Sequence, residues 1–217
     1  MIKIKEVTAT NLSDIESLCK LPSHKFNEFE DLEKIEIIDP YHEEAQDLPS
    51  CIDRFKKLEN LEIHEDLNWD TDLSSITNLK NLKVLTLRNM GPNLAKLGSK
   101  INDLVNIEKL SIYGQDNPGS FPENVGKLRR LRELNLQEFE DAQKIPDSYE
   151  NLKNLKVLNI GGNGIDEFPI IFNKLSNLER LNILGGGPRD FTGATRRVVE
   201  AAVKSFDNDE YHKLNDK

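Results

Sequence analysis

The stretch Leu155 to Leu178, LKVLNIGGNGIDEFPIIFNKLSNL, decides the fold. It opens with Leu155, Leu158 and Ile160, an L-x-x-L-x-L pattern in which the last two apolar residues alternate with polar ones. Alternation of that kind places side chains on one face of a strand. The apolar residues that follow come at wider intervals, at Phe168, Phe172 and Leu175, and Pro169 sits just after the first of them. Such spacing suits a short helical or 3₁₀ segment. Pro fits the first turn of that segment, where its missing N–H costs nothing. The next strand pattern then begins at Leu178.

The same unit recurs along the chain. Strand patterns begin at Leu32, Leu58, Leu82, Ile107, Leu131, Leu155 and Leu178, with spacings of 26, 24, 25, 24, 24 and 23 residues. Three residues before each start stand Phe29, Phe55, Leu79, Leu104, Leu128, Leu152 and Leu175. Six before it stand Phe26, Ile52, Ile76, Ile101, Val125, Tyr149 and Phe172. Pro49, Pro122 and Pro146 repeat the position of Pro169. A fixed period of this length marks stacked supersecondary units, none of which can bury its own apolar side.

These residues resemble the leucine-rich-repeat family, and Leu155–Leu178 comes close to its intracellular class with a Pro-containing 23-residue-type repeat. The resemblance covers roughly residues 21 to 187. It implies an α/β solenoid with a curved parallel β-sheet on the concave side and short helices or 3₁₀ segments on the convex side. About 7–8 repeats with small N- and C-terminal caps are expected. The family places Asn eight residues after each start, where it binds neighbouring backbone. Here only Asn163 fits; the other positions hold Pro40, Asp66, Met90, Gln115, Phe139 and Gly186. Irregular turns are therefore expected after most strands.

The flanks read as caps, giving a division into 1–25, 26–187 and 188–217. Ile2 and Ile4 alternate with lysine and suggest an extra strand. Leu12, Ile15, Leu18 and Cys19 suit a short helix capped by Asn11 or Ser13. Residues 192–206 suggest an amphipathic helix with Val198, Val199, Ala202, Val203 and Phe206 on its apolar stripe, followed by a polar tail.

Composition narrows the function. The chain of 217 residues carries a net charge of −9, which argues against general nucleic-acid binding, since that needs clustered Lys and Arg. No apolar run is long enough to span a membrane, and the first residues lack the apolar centre of a signal peptide. Cys19 and Cys51, far apart and in no paired motif, read as two reduced thiols. With no flanking Cys clusters, these features point to the cytoplasm.

Alternation also selects the residues facing the concave side, those two, four and six positions after each start. The resulting columns contain Glu36 and Glu62, then His64, Arg88 and Tyr113, with an Asn-rich stretch beyond. Contact hot spots favour Trp, Tyr and Arg. The candidate partner-binding set is therefore Glu36, Glu62, His64, Arg88 and Tyr113, with Trp69 on the adjoining loop. Glu62, His64 and Asp66 could in principle face a metal, but no second His lies nearby, and a plain polar strand is the better reading. Glu36 beside Glu62 invites an acid–base reading, which an open wet face disfavours. Gly185-Gly186-Gly187-Pro188 is not followed by the G-K-[ST] of a phosphate loop and reads as a connection. Lys56, Lys57, Lys96, Lys100, Arg129, Arg130 and Lys174 fall on the convex segments among acids, as a solvated surface would.

No catalytic motif, metal or cofactor is expected. Family membership would imply a protein-binding module, acting as scaffold, regulator or inhibitor of a protein partner through its concave face. The alternative is the substrate-recognition subunit of a larger ligase- or phosphatase-type system, with catalysis supplied in trans. No nucleic-acid or membrane partner is expected, and a monomer is.

Overall fold

The computed structural model describes residues 3–38, 47–68, 71–88, 97, 100–114, 120–139, 142, 144–165, 167–183 and 192–206. Eight strands form one parallel sheet in sequence order: β1 (Glu6–Ala9), β2 (Lys34–Ile37), β3 (Asn60–Asp66), β4 (Val84–Arg88), β5 (Lys109–Tyr113), β6 (Glu133–Gln137), β7 (Val157–Asn159) and β8 (Arg180–Asn182). The seven sequence patterns supply β2 to β8. Their inward residues stack in register, as in Leu61 beside Leu85 and Leu134 beside Leu158. The apolar ladder from Leu32 to Ile183 lies in one continuous core. Burial of each such side chain contributes roughly 1.5–3 kcal/mol, so the stack stabilises units that could not fold singly.

The convex layer is built from 3₁₀ segments, among them Ser50–Arg54, Glu123–Lys127, Asp147–Asn151 and Ile170–Lys174. Each of these four follows its proline, which occupies the capping position rather than the first turn. The Pro carbonyl accepts the first bond of the segment, as from Val125 N to Pro122 O at 3.1 Å and from Tyr149 N to Pro146 O at 3.0 Å. Adjacent segments approach closely: a Cβ on Gly126 would lie 2.4 Å from the Ser148 carbonyl oxygen. Glycine is required there for space.

Asn163 behaves as the family pattern implies. It is 2 % exposed, donates to Leu136 O at 2.7 Å and Ile160 O at 2.6 Å, and accepts from Phe139 N at 2.8 Å. One repeat earlier the equivalent position is Phe139, fully buried, with its ring 5.1 Å from that of Phe121. Apolar packing there replaces the polar bridge. A second asparagine ladder escaped the sequence reading. Asn81, Asn106, Asn154 and Asn177, each one residue before a start, donate to Lys56 O, Lys80 O, Arg129 O and Lys153 O at 2.6–2.8 Å. One residue after the starts, charges of opposite sign pair across neighbouring repeats, as in Lys83–Glu59 at 2.7 Å and Lys156–Glu179 at 2.8 Å. These pairs are exposed and contribute little each.

The ends correct three expectations. The extra strand exists but lies at Glu6–Ala9; Ile4 packs on the core beside it, and Ile2 is outside the described residues. Pairing of Val7 with Ile35 and Ala9 with Ile37 sets this register. Helix α1 (Leu12–Cys19) follows, and Asn11 caps it by accepting from Asp14 N at 3.0 Å. A short α2 (Ser23–Phe26) leads to β2. Cys19 and Cys51 are not reduced thiols but form a disulfide, joining α1 to the first Pro-led convex segment. Their sequence separation of 32 residues hides a Cα–Cα distance of 6.0 Å, which falls within bonding range. Disulfides persist in oxidising surroundings, so the cysteines no longer argue for the cytoplasm. Arg54 reinforces this junction by donating to Cys19 O, its guanidinium 3.7 Å from the centre of the Phe26 ring.

At the other end α3 (Arg196–Phe206) packs on β8. Val198, Ala201 and Ala202 are buried, whereas Val199, expected on the stripe, is 36 % exposed. The side chains of Val203 and Phe206, the 207–217 tail and the Gly185–Pro188 run lie outside the described residues. No helix is long and apolar enough to cross a membrane among the described residues.

Candidate functional site: the concave strand face

Outward side chains from successive strands align in columns because the ladder pairs them residue for residue. Glu36, Glu62, Thr86, Ser111, Asn135, Asn159 and Asn182 form the middle column, as alternation predicts. Lys34, Asn60, Val84, Lys109, Glu133, Val157 and Arg180 flank it on one side. With strands about 4.8 Å apart, the face runs for roughly 30 Å.

Two clusters stand out. In the first, Lys34 Nζ lies 3.0 Å from Glu36 and 3.9 Å from Glu62, and His64 Nε2 lies 3.8 Å from Glu62. The adjacent His64 imidazole holds the Glu62 carboxyl below its ordinary range, against the opposing effect of burial, with Lys34 assisting. The bond to Glu36 raises the Lys34 ammonium correspondingly. A carboxylate held low in this way is a poor general base, which weighs against acid–base chemistry at Glu62. Among the described residues no group of three His, Cys, Asp or Glu is placed to hold a metal.

In the second cluster the Arg88 guanidinium lies 5.1 Å from the centre of the Tyr113 ring. Asn135 Nδ2 donates to the Tyr113 hydroxyl at 2.9 Å. Burial pushes the Tyr113 phenol up. Thr86 and Ser111, each 4 % exposed, form a floor of short side chains in the same strands. Among the described residues, two buried polar atoms here have no hydrogen-bond partner: Arg88 Nε and Asn135 Oδ1.

Of the six candidate residues, the structure therefore brings Glu36, Glu62 and His64 together in one cluster and Arg88 with Tyr113 in the other. It does not align His64 with Arg88. A bulge in β3 after Ile63 sets Asp66 across from Arg88 and breaks the register of the third column. Trp69 lies outside the described residues. Sequence reasoning missed Lys34 and Asn135. Both sit in the outward columns, but residue type alone gave no reason to favour them. A separate cavity of about 840 Å³ lies at the N-terminal junction, lined by Leu12, Glu16, Cys19, Leu48, Cys51 and Thr71. Its lining comes from α1, the Pro49-led segment and residues 71–72, and includes no residue of either cluster. Among the convex cations, Lys57 pairs with Asp31, Lys174 with Glu150, and Lys56 with Asp53 at 3.9 Å.

Solved structures provide the comparison for this architecture. A leucine-rich-repeat protein of Leptospira interrogans matches with a TM-score of 0.51 and 22 % identity over 74 % of this chain and 45 % of its own. Internalin C2 of Listeria monocytogenes gives 0.54 and 22 % over 70 % and 62 %. This is a leucine-rich-repeat fold. The PEPR1–AtPEP1 structure shares the solenoid at a TM-score of 0.52 and 18 % identity, over 75 % of this chain and 22 % of that one. No family model matches the sequence. In sequence, 137 residues are 30 % identical to the volume-regulated anion channel subunit LRRC8E of Xenopus tropicalis, and likewise of Xenopus laevis. That alignment covers 59 % of this chain but spans only 16 % of each relative.

Proposed function

We propose that this leucine-rich-repeat chain is a protein-binding module that holds a protein partner on its concave face, as a scaffold, regulator or inhibitor, and performs no catalysis itself. The observation that carries the reading is the face itself: a row of aligned strands presenting an Arg–Tyr pair over a floor of short side chains. Tyr and Arg are the side chains most often found at binding hot spots. The four proline-led convex segments support the Pro-containing repeat type. Because β1 belongs to the same sheet, the 1–25 cap is best regarded as joined to the 26–187 solenoid, with 188–217 as the closing element.

The experiment is affinity capture from native lysate with wild-type chain and with the Arg88→Ala/Tyr113→Ala double variant, compared by mass spectrometry. Circular dichroism first establishes that the variant is folded. A protein retained at physiological salt by the wild type and lost by the variant is the expected result. Equal capture by both would remove the concave patch from consideration.

A further inference from the structure

The Cys19–Cys51 bond sits at a joint of the solenoid. Cys19 closes α1, in the cap unit made of β1 and α1, and Cys51 lies in the Pro49-led segment of the repeat that follows. A unit inside a stacked array is held by two neighbours, a terminal unit by one. Local opening in a folded protein starts from such weakly supported ends. The cap has non-covalent ties of its own: the residue pairs from Glu6–Lys34 to Ala9–Ile37, the buried Leu12 and Ile15 of α1, and the bond from Arg54 to Cys19 O. These ties seat the cap without the sulfurs, and the disulfide adds a covalent one across the joint. The bond also lies near the surface. Cys51 is only partly buried, Cys19 is 8 % exposed, and both line the cavity of about 840 Å³ beside Lys20 and Ser50. Accessible disulfides are the ones open to thiol exchange.

We propose that Cys19–Cys51 is a redox latch: a dithiol reductant opens it in the folded chain, and the cap unit alone then loosens. A thiolate of the reductant attacks the sulfur of Cys51, the more exposed residue, and Cys19 leaves as a thiolate that takes up a proton. The second thiolate of the reductant attacks its own sulfur in the mixed disulfide and releases Cys51, which is protonated in turn. Two electrons and two protons pass to the protein, and the reductant ends as a disulfide. The bond closes a loop across a sequence separation of 32 residues, so cutting it restores freedom to the opened cap and favours that state. Opening strips β1 from β2, where Ile35 and Ile37 are fully buried beside Val7 and Ala9. Reduction therefore bares an apolar strand edge, the kind of edge that pairs with another strand.

The test is hydrogen–deuterium exchange with mass spectrometry on the full chain. It compares untreated protein, protein treated with dithiothreitol without denaturant, and the Cys19→Ser/Cys51→Ser variant. Dithiothreitol should free two thiols, and the amides of β1, α1 and β2 should then exchange about 10-fold or more faster, while those of β5 to β8 keep their rates. Reoxidation should restore the slow rates. The double variant should exchange as the reduced chain does and ignore dithiothreitol, which separates loss of the bond from other effects of the reagent. Reduction starts from the folded chain, so the wild-type comparison stands even if the variant folds poorly. A bond that yields only in denaturant, equal rates before and after reduction, or acceleration spread over the whole sheet would each overturn the latch. Two free thiols in the untreated protein would also overturn it.

Discussion

Replacing Asn163 by alanine tests whether one buried side chain holds two repeats together. Its amide and carbonyl make three hydrogen bonds, to Leu136 O, Ile160 O and Phe139 N, at 2.6–2.8 Å and at 2 % exposure. A hydrogen bond contributes about 1 kcal/mol net, and a buried group left unpaired costs about 1–3 kcal/mol. Alanine removes all three bonds and strands Phe139 N–H and the Leu136 carbonyl, so the loss should be about 3 kcal/mol. Asn106→Ala, which removes one exposed bond of 2.7 Å to Lys80 O, is the control and should cost no more than about 1 kcal/mol. Urea unfolding followed by far-ultraviolet circular dichroism reads both. With a slope of about 2–3 kcal/mol/M, the Asn163→Ala midpoint should fall by about 1–1.5 M. A split transition would show the C-terminal repeats opening separately, a mode open to stacked units. An Asn163→Ala loss below about 1 kcal/mol, or one equal to the control, would refute the reasoning.

Three further outcomes are expected. The native, unreduced protein should show no thiol reactive toward Ellman's reagent, and Cys19→Ser should lower stability by about 2–4 kcal/mol through lost loop constraint; two titrating thiols would contradict the Cys19–Cys51 bond. Glu62 has a folded pKa below the ordinary carboxyl value of 4.5, so its contribution is complete above that value and is lost as pH falls through the folded one. Carboxyl-carbon NMR should place its midpoint below 4.5, and His64→Ala should move that midpoint up; no movement would exclude His64 as the cause. Tyr149, buried with its hydroxyl donating to Pro122 O at 3.2 Å, has its phenol raised well above 10, so any stability from it is present below that pH and is lost as pH rises. Absorbance at 295 nm should show Tyr149 ionising only on alkaline unfolding, and an earlier ionisation would argue against its burial.

Periodicity made the solenoid legible because an inward Leu or Ile is needed at every repeat, whatever the partner. Leu110, Leu134 and Leu158 could be placed on the sheet's inner side from spacing alone. Neighbour relations were harder. The Cys19–Cys51 bond joins a cap helix to a convex segment, and no spacing rule covers that junction. The bulge after Ile63 depends on how a local loop leaves the strand, so the pairing of His64 with Arg88 failed while Glu36 with Glu62 held. Register at the edge of the sheet slipped for a related reason: Lys3 to Ala9 offers two alternating readings, and the match of Val7 and Ala9 to Ile35 and Ile37 selects one. The four asparagines before the strand starts carried a visible column signal, yet their value lies in a carbonyl of the preceding repeat. Within the site, residue type pointed to Arg88 and Tyr113. Asn135 became distinct only through the bond it makes and the bond it lacks.

The tight fit at Gly126 bears on what kind of object can dock. The convex segments there pack so close that a methyl group on Gly126 would collide with Ser148. Full α-helices there, about 10 Å across, would spread the outer arc and tighten the bend. Thin segments flatten it. A sheet backed by such thin segments suits an extended loop laid across β5 and β6 better than a rounded body swallowed by a horseshoe.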